Sequence, residues 1–124
     1  MKSVCLRAMT LTTRHTMTLI CLDVGGVHYW TDRSTLEASN SFFSALARAP
    51  EAVVFIDRDP TYFRYVLNWL RGVRFLPEDD LQLRELAYEA DFYSMDDMCA
   101  AIHSTRRFSF LQSVSEISAS LAAQ

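Results

Sequence analysis

Two β-prone runs, LICLDV at 19–24 and VHYWT at 27–31, are separated by one dipeptide, Gly25-Gly26. A two-residue loop between strands needs positive φ at its centre, which glycine supplies without steric cost. The stretch 19–31 therefore reads as an antiparallel hairpin with Gly25 and Gly26 as its turn. Neither a G-x-G-x-x-G fingerprint nor a G-x-x-x-x-G-K-[ST] loop can be read around the two glycines, so the turn is no phosphate cradle.

Beyond the hairpin, Thr31 or Asp32 is placed to cap a short helix in TDRSTLEAS (31–39). SFFSALARA (41–49) reads as a second, with Phe42, Phe43, Leu46 and Ala49 on one side and Pro50 as its end. AVVFI (52–56) is the third strand, with Phe55 and Ile56 finishing it in the core. PTYFRYVLNWLRG (60–72) is a helix with Asp59 at the N-cap, Pro60 in its first turn and Gly72 as its stop. Asp79 or Asp80 opens DLQLRELAYEADFY, and in SMDDMCAAI Ser94 and Asp97 have the spacing of a capping box. The order predicts an α+β domain, a small three-stranded sheet with about five helices.

The helix after Pro60 carries two stripes. Phe63, Val66, Leu67 and Leu70 fall at i, i+3, i+4, i+7 and face a core. Tyr62, Tyr65 and Trp69 form a second stripe, open to core packing or to a partner, and Arg64, Asn68 and Arg71 are the polar remainder.

The chain holds 12 basic and 15 acidic residues, a net charge of −3. Lys2, Arg7 and Arg14 lie in the Ser/Thr-rich first 18 residues, and Arg106 and Arg107 stand against Glu116 near the end. That leaves 7 basic and 14 acidic residues in 19–104, a balance that disfavours nucleic acid as the main partner. No apolar run reaches the roughly 18–20 residues of a membrane span, which excludes direct insertion as a helix. Cys5, Cys21 and Cys99 are odd in number and widely spaced, as expected of reduced thiols in the cytoplasm. Residues 1–18 read as a disordered leader, with a targeting segment as the alternative. The domain proper spans 19–104, and 105–124 is a tail. In the tail, Phe110, Val114, Ile117 and Leu121 have the spacing of a short amphipathic helix.

Little in the chain points to chemistry. His15, His28 and His103 have no nucleophile and acid beside them in sequence. Cys99 and His103, at i, i+4, are two of the four ligands a zinc site needs, and no CxxC or HxxxH supplies the others. Asp57 and Asp59 flank Arg58, and a guanidinium holds nearby carboxyls ionised, which removes the raised pKa of a general acid. The sequence thus predicts no enzyme, no cofactor and no metal; a small enzyme or metal protein built on Cys99, His103 and the Asp57/Asp59 pair is the rival reading. For Arg58 the expected structural use is a bidentate bridge to a carboxylate, on its own chain or on another.

Taken together, CLDVGGVHYWT, then STL, then FIDRDPTYFRYVLNWLRG, then FLPEDDLQLRELAYEADFY resembles the potassium-channel tetramerisation domain family, a branch of the BTB/POZ fold, over about residues 19–102. The likeness is to the soluble tetramerisation-domain proteins rather than to the channels. It implies a non-catalytic scaffold that forms homotetramers or homopentamers through polar, charged faces. It implies as well a substrate adaptor for a cullin-3 ubiquitin ligase or, alternatively, an assembly domain for channel subunits. By that resemblance Asp23, Asp57, Arg58, Arg64 and Asn68 are candidates for the oligomer interface, with Arg58 reaching another chain. Tyr62, Tyr65, Trp69, Phe92 and Tyr93 are candidates for a partner surface. Asp23 stands where the family usually has Asn, EASNSFF replaces a Pro-containing segment, and the loop before FIDRD is short. The His and Cys cluster of the zinc-binding channel subset has no counterpart in RFLPEDD.

Overall fold

A computed structural model describes residues 18–37, 41–105 and 121. The elements in order are β1 (Leu19–Val24), β2 (Val27–Asp32), α1 (Arg33–Glu37), α2 (Phe42–Leu46), β3 (Val53–Ile56), α3 (Phe63–Leu70) and α4 (Asp80–Phe92). Residues 96–105 form a further helix, α5. The expectations for the leader and for the amphipathic tail fall almost wholly outside the described residues. Among those described, no helix is long and apolar enough to cross a membrane.

The three strands lie in the order β2-β1-β3, with β1 antiparallel to β2 and parallel to β3. The period-2 alternation of β1 sends Ile20, Leu22 and Val24 into the core, and all three are fully buried. Arg33 clamps the crossover that brings β3 back parallel to β1. Its guanidinium donates to the carbonyls of Ala47 (3.1 Å), Ala49 (2.6 Å) and Glu51 (3.0 Å). The helices cover the inner sheet face, and Phe43, Phe63 and Tyr93 meet as an aromatic centre, with ring centroids 4.8–6.0 Å apart.

The hairpin forms as the dipeptide requires. Gly25 and Gly26 have φ of 57° and 101°, and Asp23 Oδ1 accepts the Gly26 N–H at 2.9 Å. Asp32 caps α1 by accepting the Ser34 N–H at 2.9 Å, while Ser41 accepts from Phe43 at the start of α2. Asp79 caps α4 by accepting from Gln82 at 3.0 Å. Gly72, at φ 88°, ends α3, and the Val73 N–H reaches back to the Asn68 carbonyl at 2.8 Å.

Four local expectations change. Asp59 does not cap α3. It accepts the N–H and hydroxyl of Thr61 across a turn, the Phe63 N–H bonds to the Pro60 carbonyl at 2.9 Å, and regular helix begins at Phe63. Ser94 is no N-cap either: it takes φ 55° and closes α4, with the Met95 N–H on the Ala90 carbonyl at 2.9 Å. Asp97, freed from a capping box, bonds elsewhere. Phe55, expected in the core, points away from it and is 61% exposed, whereas Ile56 is buried.

Gly25 sits hard against the chain that follows β3. Its N–H bonds to the Ile56 carbonyl at 3.0 Å, and a Cβ on it would lie 2.4 Å from the Arg58 carbonyl oxygen. A Cβ on Gly26 would meet nothing within 4 Å. Gly25→Ala is expected to destabilise the domain by about 2–4 kcal/mol, from left-handed strain plus a backbone clash, and Gly26→Ala by about 1–2 kcal/mol from strain alone. Urea unfolding of the two variants measures the difference.

Candidate interaction surface

Arg58 is the hub of the charged corner after β3. Its Nη2 and Nε donate to the two carboxylate oxygens of Glu89 on α4 at 2.6 and 3.1 Å, and its guanidinium lies 4.3 Å from the centroid of the Phe92 ring. The Glu89 bond raises the Arg58 pKa further. The sequence reading sent this guanidinium to another chain; its carboxylate lies on its own, 31 residues on. Glu89 carries no local sequence signal of that role, because the pairing is made only when α4 packs beside the corner.

Tyr93 and Trp69, expected at a partner surface, belong to the core. Tyr93 is fully buried, and burial pushes its hydroxyl pKa up. Trp69 is 6% exposed, and its indole N–H donates to Asp97 Oδ2 at 3.1 Å. Arg74 completes that cluster, 3.1 Å from the same carboxylate oxygen and 4.7 Å from the indole centroid. Burial acts to raise the Asp97 pKa, but the bonds from Trp69 and Met98 and the charge of Arg74 outweigh it and leave the carboxyl below its ordinary value. Tyr62 and Tyr65 are half-buried. A hydrogen bond to Glu85 pushes the Tyr62 hydroxyl up to about 12, so Tyr62 ties α3 to α4. Phe92 keeps 43% of its surface exposed.

The face of the sheet turned away from the helices was not singled out by the sequence reading. Register places Trp30, Cys21 and Val53 in one row across it, and His28, Asp23 and Phe55 in the next. Cys21 is buried between its neighbours, and burial raises its thiol pKa. Trp30, Val53 and Phe55 are 53%, 49% and 61% exposed. The alternation of VHYWT carried a signal for Trp30, because Tyr29 and Thr31 point inward. Asp23, besides holding the turn, has its second oxygen 3.4 Å from His28 Nε2. Asp57 is exposed, and its carboxylate has no partner among the described residues.

A shallow groove between α4 and α5 brings together Arg84, Tyr88, Asp91, Asp96, Cys99 and His103. Burial raises the Cys99 thiol pKa and holds it protonated. Among the described residues, no group of three or more His, Cys, Asp or Glu is placed to hold a metal ion.

The Arg58–Glu89 pair is partly buried on both sides, so removing either partner strands the other. Arg58→Ala and Glu89→Ala are each expected to destabilise the subunit by about 1–3 kcal/mol, between the values for exposed and buried pairs. A double-mutant cycle read by denaturant unfolding should return a coupling of about 1 kcal/mol or more.

Residues 20–102 match the family model described as BTB/POZ domain. BTB/POZ domain-containing protein KCTD21 of Homo sapiens is 38% identical over 92 residues, covering 67% of this chain and 35% of that protein. FH protein interacting protein FIP2 of Arabidopsis thaliana is 30% identical over 106 residues, covering 77% of this chain and 36% of that protein. An uncharacterised Dictyostelium discoideum protein is 33% identical over 103 residues, 77% of this chain but 13% of its own length. The chain thus spans little more than a third, at most, of these curated relatives. With the sheet, the hairpin and the charged corner in place, the chain belongs to the BTB/POZ domain family, in its potassium-channel tetramerisation branch, whose domains are protein-interaction modules.

Proposed function

We propose that this domain assembles with copies of itself, as a homotetramer or homopentamer, and serves in the cytoplasm as a non-enzymatic scaffold or substrate adaptor for a cullin-3 type ubiquitin ligase. The observation that carries the reading is the outer sheet face. Trp30 and Phe55 are large, rigid aromatics more than half exposed among the described residues, on the sheet face turned away from the helices. Exposed aromatic area of this kind is what protein interfaces bury first. Membership of the BTB/POZ family and kinship with BTB/POZ domain-containing proteins KCTD21 and KCTD17 support a protein-interaction and oligomerisation role, of which the adaptor is our narrower reading.

The assembly half is tested by light scattering at tens of micromolar, where a particle several subunits in mass is expected and a strict monomer would overturn it. The adaptor half is tested separately. Immobilised domain should retain a purified cullin-3 N-terminal fragment, and failure to do so by an assembled, folded domain would leave a scaffold with a different partner.

A further inference from the structure

The helical side of the domain keeps a solvent-facing strip that the core does not use. On α4, spacings of seven and four residues bring Leu81, Tyr88 and Phe92 onto one side, and all three are exposed, Tyr88 at 66%. A surface helix ordinarily turns one apolar stripe inward; α4 spends Leu83, Leu86 and Ala90 on the core and carries this second stripe outward. Beside it, between α4 and the turn that follows β3, lies a recess of about 180 Å³ lined by Asp59, Thr61, Tyr62, Glu85, Tyr88 and Glu89. Stripe and recess belong to the helical side, not to the outer sheet face.

Three carboxylates line this recess, and each is held in place by a donor of the same chain. Thr61 donates to Asp59 from its N–H and its hydroxyl, Tyr62 donates to Glu85, and Arg58 forks onto Glu89. A carboxylate accepts about four hydrogen bonds, so all three keep acceptor capacity in a geometry fixed beforehand. Among the described residues only Glu89 has a cation against it, so the recess is left negative. Its walls include the tyrosines Tyr62 and Tyr88, whose ring faces attract cations. Among the described residues no group of carboxylates is placed to hold a metal ion, so the charge that suits this recess is one carried on a longer stem. The methylenes of an arginine or lysine can lie against a tyrosine while the head reaches the carboxylates. The apolar stripe beside the recess suits the rest of such a segment, and a domain with 7 basic and 14 acidic residues in 19–104 steers cationic partners toward it.

We infer that this face of α4 docks a cationic amphipathic segment of another protein, one arginine or lysine entering the recess while apolar residues lie along Leu81, Tyr88 and Phe92. The inference is independent of the self-assembly proposed above. The test uses the whole chain and a fluorescently labelled helical peptide with leucines at i, i+4, i+7 and arginines beside them, together with a twin carrying glutamate for arginine. Fluorescence anisotropy should show the arginine peptide binding, more weakly as salt rises, and the glutamate twin not binding. Tyr88→Ser, which changes no charge, and Glu85→Gln, which removes one, should each weaken binding about tenfold or more while the far-ultraviolet circular dichroism stays that of wild type. Asp57→Asn removes the same charge from an exposed carboxylate that does not line the recess, and it should change the affinity less than about twofold. A wild-type chain that fails to bind the arginine peptide, equal binding of the twin, or an equal loss in Asp57→Asn would overturn the inference. So would a changed particle mass for Tyr88→Ser by native mass spectrometry, which would assign this face to a contact between copies.

Discussion

The contact on which the domain turns is the one between Gly25 and the chain leaving β3. The Gly25 amide bonds to the Ile56 carbonyl, and the Arg58 carbonyl sits where a side chain would begin. A left-handed glycine here lets the hairpin tip and the corner after β3 approach as bare backbone, which no L side chain permits. Everything after the corner depends on that approach. The direction in which Arg58 leaves the sheet fixes its reach to Glu89, and Glu89 places α4 against the aromatic centre of Phe43, Phe63 and Tyr93.

This arrangement divides the charged residues between two tasks. Arg58, Asp59 and Asp97 are spent inside the subunit, on Glu89, on the Thr61 turn, and on Trp69 with Arg74. Arg64, Arg71 and Asp57 have no charged partner among the described residues. Paired groups fix a fold, and unpaired exposed ones steer and select partners.

Much of the fold was legible because its signals are local. Gly25-Gly26, Asp32, Asp79 and Gly72 each act within a few residues of where they stand. The family was legible for the same reason, since its motifs are runs of contiguous residues. The misreadings have a different origin. VVFI is apolar throughout, so alternation could not say that Phe55 faces out and Ile56 in. Ser94 has the local grammar of an N-cap, yet the tight turn between α4 and α5 holds it left-handed. Arg58 and Glu89 lie 31 residues apart, and only packing brings them together. Trp69 lies in a stripe with two half-buried tyrosines, and its burial depends on α5 supplying Asp97.

The division between a structural corner and a binding sheet face is tested most directly by hydrogen exchange followed residue by residue in concentrated and in dilute protein. The amides of Val53 and Phe55 should exchange markedly more slowly at concentrations where the particle forms, while that of Gly25, bonded within its own subunit, should keep the same protection throughout. Equal exchange of Val53 and Phe55 at both concentrations, in protein shown to have assembled, would contradict the account.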